Sequence, residues 1–160
     1  AIAGLQEVES GSISLLDDGG KALELMEAQG GPDGEMGELN QWIGFSYFIK
    51  NDYEAALQAF EQARKQNAQL SEITYYAGIC AMSVGKDEQA VEYFLESAER
   101  GEYTSVCMYN AALCEIRLED HLTAAAYLQA SIDAGDDENA VTEAKELLDQ
   151  VKEYLDEQPE

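Results

Sequence analysis

The chain has 160 residues, of which 33 are acidic, 9 are basic and one is histidine, so its formal net charge is −24. Such a charge excludes nucleic acid and anionic lipid as partners, because both are bound by clustered lysine and arginine. No stretch of about 18 apolar residues is present, and residues 1–16 lack a basic start followed by a long apolar run. The sequence therefore predicts neither a membrane span nor a secretory signal.

A fixed spacing of 34 residues relates three stretches of the chain without a gap. At four equivalent positions, which we call columns, the three stretches carry either small side chains or large apolar ones. These columns are Ala56/Ala90/Ala124, Phe60/Phe94/Leu128, Ala63/Ser97/Ser131 and Gly44/Gly78/Ala112. A constant period of this length indicates one supersecondary unit that is repeated and stacked. Because such arrays present extended surfaces to partners, the sequence favours binding over chemistry.

In chain order, the first predicted segment is a degenerate N-terminal repeat with a glycine-rich joint, residues 1–36. One period before the first full repeat, Ala22 and Met26 fall on the alanine and aromatic columns. Residues 30–34 read Gly-Gly-Pro-Asp-Gly, a composition that predicts a loop or flexible joint. Since the chain begins Ala-Ile-Ala-Gly, which is not a natural initiation, we expect it to be a piece of a longer protein.

Three full repeats follow, each predicted to be a pair of amphipathic helices. Their bounds are 37–70, 71–104 and 105–138. A polar break separates the two helices of each repeat, and the breaks recur in register at 51–52, 85–87 and 119–121. The last segment, 139–160, is predicted to be a capping helix with an acidic tail, because solenoids need a final helix with a polar outer face. All of these segments are expected to form one elongated domain.

The small residues of the columns predict close helix crossings within each repeat. Only glycine, alanine or serine lets two backbones approach closely, and a large neighbour then fills the space beside them. A glycine inside a helix costs roughly 1 kcal/mol relative to alanine. The recurrence of Gly44 and Gly78 within predicted helices therefore indicates a packing requirement.

This pattern resembles the tetratricopeptide repeat, whose signature combines a large residue followed by glycine, an aromatic residue, and later an alanine and a second aromatic residue. The first repeat matches it at Ile43-Gly44, Tyr47, Ala56 and Phe60. The second repeat matches at Gly78, Ala90 and Phe94, and the third mainly at Ala124. The chain departs from the family at its tryptophan position, which holds Asn40, Thr74 and Met108, and at its proline position, which holds Ala68, Glu102 and Asp136.

The resemblance implies an all-α fold: a right-handed α-solenoid of stacked antiparallel helix pairs with a C-terminal capping helix. In this family the first helices of successive repeats line a concave groove that holds an extended peptide or a helix. Transferred to this chain, the groove residues are Phe45, Phe48, Ile49, Tyr75, Ile79, Met82, Tyr109, Asn110, Leu113, Ile116 and Arg117. Among them, Tyr75 and Tyr109 are the expected aromatic anchors.

The family's carboxylate-binding members hold a peptide C-terminus with a set of basic and asparagine residues. Only Asn110 and Arg117 match that set here, so an apolar or amphipathic segment fits the predicted groove better.

The sequence predicts no metal, no cofactor and no catalytic residue. Cys80, Cys107 and Cys114 show no metal-ligand spacing and are expected to be small buried hydrophobic residues. His121, beside Asp120, is the only histidine, and the other repeats place tyrosine and aspartate at its column, so it reads as a variable turn position.

Two functions remain open at this stage. The first is a non-catalytic scaffold or adaptor that binds a basic or amphipathic protein segment in the groove. The alternative is a structural or self-association domain, including a homodimer, of a larger membrane-tethered bacterial protein whose groove is covered by its own helix. The expected location is cytoplasmic, or extracytoplasmic if a leader or anchor precedes the chain.

Overall fold

A computed structural model of the chain describes residues 33–66 and 72–158, and these residues contain seven helices and no strand. In chain order the helices are α1 (Asp33–Ile49), α2 (Tyr53–Gln66), α3 (Ile73–Ser83), α4 (Asp87–Glu99), α5 (Thr104–Arg117), α6 (His121–Ala134) and α7 (Glu138–Asp156). The chain divides into two compact units, unit 1 (Ala1–Ile73) and unit 2 (Thr74–Glu160). Within the described ranges, no helix combines the length and hydropathy needed to cross a bilayer.

The predicted all-α composition is confirmed over the described residues, and one boundary is corrected. Residues 30–34 are predicted as a loop, but α1 begins at Asp33 and therefore includes Asp33 and Gly34. The sequence offers a helix start there, since proline followed by an acidic residue is favoured in a first helical turn. The rest of the predicted N-terminal repeat, residues 1–32, lies outside the described residues.

The turns within the three helix pairs share one backbone conformation. Asn51, Gly85 and Glu119 lie one period apart, and their φ angles are 60°, 77° and 65°. This left-handed region is free for glycine and accessible to asparagine, whereas it strains a residue such as glutamate. The equivalent geometry at three different residue types shows that the repeat imposes the turn, as the polar breaks predicted.

A large side chain against a small one locks each helix pair. A Cβ added to Gly44 would lie 2.5 Å from the ring of Phe60, and one added to Gly78 would lie 2.8 Å from the ring of Phe94. Both rings are fully buried. In the third pair, α5–α6, Leu128 takes the place of the ring, and Ala112, buried in the same cluster, takes the place of the glycine. The small residue is therefore required because a large side chain of the facing helix occupies the space where its own side chain would lie.

Aspartates begin two of the helices in unit 2. The carboxylate of Asp120 accepts hydrogen bonds from the backbone N–H and the hydroxyl of Thr123, at 3.0 and 2.8 Å. The carboxylate of Asp137 accepts one from the N–H of Ala140 at 2.8 Å, at the start of α7. These contacts satisfy N–H groups that have no partner inside the helix.

Asp136 acts on a different helix. Its carboxylate accepts hydrogen bonds from the N–H groups of Thr104 at 2.9 Å and Ser105 at 2.6 Å, so it begins α5 from the α6–α7 connection. Beside it, Ser105 and Ser131 exchange two hydrogen bonds from hydroxyl to carbonyl, at 2.9 and 2.7 Å. Both serines are fully buried, so this polar link is made where water is excluded.

The capping helix α7 completes the core at the end of unit 2. Ala144, Leu148 and Val151 of α7 are buried with Ala112 of α5 and Leu128 of α6 in one hydrophobic cluster. The opposite side of α7 is mainly charged and exposed, which is the arrangement that a final solenoid helix requires.

We predict that Gly78→Ala destabilises unit 2. The added methyl group meets a buried ring, a clash of about 1–3 kcal/mol, while alanine improves helix propensity by roughly 1 kcal/mol. The double variant Gly78→Ala/Phe94→Leu copies the Ala112–Leu128 combination of the third pair. Its loss of unfolding free energy should be smaller than the sum of the losses in the two single variants. Urea unfolding of the four proteins in a double-mutant cycle measures this coupling.

Ser83→Ala, at an exposed position of the same helix, is the control, with an expected change below about 0.5 kcal/mol. Strictly additive effects of Gly78→Ala and Phe94→Leu would contradict the interlock.

We predict that Asp136→Ala lowers the free energy of unfolding at neutral pH by about 1 kcal/mol. Hydrogen bonds from Ser105, together with that from the Thr104 N–H, hold the pKa of the Asp136 carboxyl below its ordinary value. Its stabilising contribution is therefore complete above the pKa of the unfolded chain and is lost as pH falls through the folded pKa. Unfolding measured from pH 7 down to about pH 3 should show the variant and wild type converging below about pH 4.

Asp133→Ala removes the same charge from an exposed carboxylate that accepts a hydrogen bond from Gln129 on its own helix, and should have little effect. A wild-type advantage over Asp136→Ala that stays constant with pH would contradict this assignment.

Candidate functional site

An exposed apolar stripe runs along α1 in unit 1. Trp42, Phe45, Ser46 and Ile49 follow the i, i+3, i+4, i+7 spacing that places side chains on one helix face. Together they line a depression of about 250 Å³. Trp42 is 62% exposed and Ile49 is 79% exposed. We call these four residues the α1 stripe.

The α1 stripe rests on the core through Phe45. The ring of Phe45 meets the edge of Phe60, with centroids 5.2 Å apart, and lies 6.2 Å from the ring of Trp42. Phe60 is the ring that packs on Gly44, so Phe45 joins the stripe to the buried contact of the helix pair. The stripe is therefore apolar surface that is anchored on the core.

Phe45 and Ile49 are among the predicted groove residues, whereas Trp42 is not. The position of Trp42 beside Ile43-Gly44 suggests a packing role, but only Ile43 and Gly44 are buried. The sequence could have indicated Trp42 through its helical spacing, since it lies three residues before Phe45 and seven before Ile49. Phe48, also predicted for the groove, is half-buried with its ring 5.7 Å from that of Tyr53 at the start of α2.

In unit 2, the predicted residues of α3 are all half-buried, and they are Tyr75, Ile79 and Met82. The ring of Tyr75 lies 4.9 Å from that of Tyr103, which precedes α5, and 6.2 Å from that of Phe94. Burial raises the pKa of the Tyr75 hydroxyl, with smaller contributions from Cys107, Tyr76 and Asp137.

The predicted residues of α5 are drawn into contacts within unit 2. Tyr109 and Ile116 pack against the hydrophobic cluster that α7 helps to form. Asn110 is buried, and Leu113 is half-buried. The pKa of the Tyr109 hydroxyl is raised by burial and then by the charge of Glu143 on α7. The chain's own capping helix therefore covers part of this predicted surface.

Arg117 is bound within unit 2. Its guanidinium donates to the carboxylate of Asp87 at the start of α4 and lies 3.5 Å from the carbonyl oxygen of Met82. This ion pair ties the end of α5 to the turn between α3 and α4. Capture of a peptide carboxylate by Arg117 would have to compete with Asp87.

A second depression, of about 270 Å³, lies at the end of unit 2 and contains the histidine. The ring of His121 stacks on Tyr154 of α7, with centroids 4.3 Å apart and planes at 30°. Its Nδ1 lies 3.1 Å from the carbonyl oxygen of Glu119. The carboxylate of Asp120 is bonded to Thr123, so it caps α6 and does not orient the imidazole.

The three cysteines are buried and free, as predicted. Among the described residues, no group of three or more histidine, cysteine, aspartate or glutamate side chains could hold a metal ion. Desolvation raises the pKa of Cys80 to about 12 and those of Cys107 and Cys114 to about 11. Thiols in such surroundings stay protonated and are poor nucleophiles and poor metal ligands.

The fold is similar to those of solved tetratricopeptide-like helical-repeat proteins. PcrH from Pseudomonas aeruginosa, in complex with the chaperone binding region of PopD, superposes with a TM-score of 0.67 at 19% identity, over 73% of this chain and 91% of PcrH. The type III secretion translocator chaperone SycD from Yersinia enterocolitica superposes with a TM-score of 0.67 at 16% sequence identity, and the match covers 74% of this chain and 85% of SycD. MamA from Desulfovibrio magneticus RS-1 superposes with a TM-score of 0.62 at 15% sequence identity, and the match covers 97% of each chain.

No protein-family model matches the chain, and no curated protein matches it. The structural matches confirm the predicted fold class, an all-α solenoid of helix pairs with a C-terminal capping helix. At identities below 20% they concern the fold alone.

We predict that a thiol-specific reagent such as Ellman's reagent, at pH 8, leaves all three cysteines of the folded protein unmodified, because each thiol is buried and protonated. In urea all three should react at once. The absorbance of the released aryl thiolate gives the number of thiols that have reacted. Any labelling of the folded protein should occur at the rate at which the helices around the thiols open. Rapid reaction of one thiol in the folded protein would contradict the buried, protonated assignment.

Proposed function

We propose that this chain is a member of the tetratricopeptide-repeat proteins and acts as a non-catalytic interaction module that binds an apolar or amphipathic protein segment. The observation that carries the proposal is the α1 stripe. An indole and an isoleucine that stay largely exposed on a helix leave apolar surface in water, and contiguous surface of this kind usually marks a contact site.

The structural relatives support a protein as the ligand. The PcrH structure contains the chaperone binding region of a second protein, PopD. SycD is likewise described as a translocator chaperone. From these proteins we transfer to this chain only the class of ligand, which is a segment of another polypeptide. The sequence identity between the chains is too low to transfer a particular partner.

The charge of the chain supports a basic partner segment. With a net charge of −24, the protein attracts cationic segments over a distance and repels a second copy of itself. The α1 stripe supplies apolar contacts, so the complementary segment is amphipathic, with apolar side chains on one face and basic ones on the other. A homodimer through this stripe is the competing outcome.

The contacts suggest different roles for Trp42 and for the predicted groove residues. Trp42 and Ile49 are the proposed anchors, because their exposed areas become buried on binding. Tyr109 and Ile116 already pack in the core cluster with α7, and Arg117 is paired with Asp87. We therefore assign the last three to stability of unit 2 and keep Phe45, Phe48, Tyr75, Ile79, Met82 and Leu113 as proposed contact residues.

Site-specific photo-crosslinking tests the proposal. A photoreactive phenylalanine analogue at Ile49, 79% exposed, is compared with the same analogue at Leu122, 73% exposed on α6. In lysate of the source cells, position 49 should give a discrete crosslinked protein that position 122 does not. Peptide mapping of the crosslink should place it on an amphipathic, basic segment.

Trp42→Ala should weaken capture at position 49 by at least about tenfold, as for a central aromatic anchor worth roughly 2 kcal/mol, without changing the melting temperature. Identical crosslinking at both positions, or crosslinks only between copies of this chain, would contradict a heterologous partner at the stripe.

A further inference from the structure

The α1 stripe lies at helix positions that recur in the last helix of the chain. The residues of α7 that lie three repeat periods after those of the stripe are Ala144, Leu147, Leu148 and Val151. All four are part of the hydrophobic cluster that α7 forms with α5 and α6, or pack against it. On α7, therefore, these positions make up the face that packs on the preceding helix pair.

On α5, the same positions also face preceding helices. The residues one period before those of α7 are Asn110, Leu113, Cys114 and Arg117. Asn110 and Cys114 are buried, and α4 packs against α5. The guanidinium of Arg117 donates to the carboxylate of Asp87, the first residue of α4. Two helices of unit 2 thus use these positions to join the helix pair before them.

On α1, the equivalent positions remain at the surface. Trp42 is 62% exposed and Ile49 is 79% exposed, whereas Ala144 and Val151, at the same positions of α7, are 0% and 4% exposed. The spacing of the stripe follows one side of α1 over two helical turns, and a second helix packs along such a face. The α1 stripe is therefore a helix-packing face that lies open to water.

Charge favours a helix from another protein at this face. The part of the chain that precedes α1, residues 1–32, contains a single lysine and no arginine among several acidic residues. It therefore adds like charge to a chain whose net charge is −24. A basic helix supplied by a partner has the complementary charge.

The size of Trp42 restricts the side chain that faces it. On α7 the same position holds Ala144, which is a much smaller residue. In each described helix pair, a large side chain packs against a glycine or alanine of the facing helix. A helix that lies along the stripe therefore needs a small residue opposite the indole.

We propose that the partner segment binds the α1 stripe as an α-helix, in the way that a preceding helix pair packs on the equivalent face of α7. The inference deepens the proposed function, on which it rests, by naming the conformation of the partner. The bound segment is a basic amphipathic helix, with glycine or alanine opposite Trp42 and larger apolar residues on either side.

The probe is a synthetic peptide of 14 residues, the length of α6, with lysine on one helix face and leucine around a central alanine on the other. Its control has the same sequence with two central residues of inverted chirality, which disrupt a right-handed helix. Trp42 is the only tryptophan of the full chain, so its emission reports binding at the stripe. The all-L peptide should cause a saturable blue shift and bind at least about tenfold more tightly than the control.

Two matched variants locate the binding. Ile49→Ser should weaken binding of the all-L peptide about tenfold, as for an anchor residue. Leu122→Ser, at a similarly exposed residue of α6, should leave the affinity unchanged. A peptide with leucine in place of the central alanine should bind more weakly, because it meets the indole.

Equal affinities of the all-L peptide and its control, no saturable shift, or equal losses in the two variants would each overturn the inference. Crosslinks from the photoreactive analogue at Ile49 into residues 1–32 would also overturn it, because the chain itself would then occupy the stripe. Capture of a partner at Ile49 does not depend on the conformation of the bound segment. Failure of the helical inference is therefore distinguishable from failure of the proposed function.

Discussion

The packing of a large side chain against a glycine or alanine of the facing helix is the contact on which each of the described helix pairs depends. Phe60 and Phe94 fill the space that Gly44 and Gly78 leave open, and a Cβ at either glycine would overlap the ring. All three helix pairs repeat this contact of a large side chain on a small one, and their turns at Asn51, Gly85 and Glu119 share a left-handed backbone. The packing contact and the turn conformation therefore recur together in each repeat.

Coverage by a neighbouring helix determines which apolar side chains remain exposed in each unit. In unit 1, Phe60 is clamped between Gly44 and Phe45, which anchors the α1 stripe on the core and leaves Trp42 and Ile49 exposed. In unit 2, the capping helix covers part of the predicted groove surface, at Tyr109 and Ile116. Exposed apolar surface and core therefore use the same residue types, and the difference between them is whether another helix of the same unit covers them.

The period of 34 residues is enough to predict the helices, their breaks and the small–large columns, because these features recur locally in the sequence. It cannot predict contacts that depend on tertiary placement. Asp136 reaches Thr104 and Ser105, about one period earlier, and His121 stacks on Tyr154. For the candidate site, spacing identifies Phe45 and Ile49, but the exposure of Trp42 and the burial of Asn110 depend on which helices pack nearby. The groove as a whole stays a prediction.

The accessibility of Trp42, the only tryptophan of the chain, tests the central claim most directly. Quenching of its fluorescence by acrylamide should be efficient in the free protein, as for an indole open to water. It should fall, and the emission should shift to the blue, when the crosslinked partner segment is added as a synthetic peptide. A tryptophan already protected from the quencher in the free protein would contradict the account, because the α1 stripe would then be covered by the chain itself.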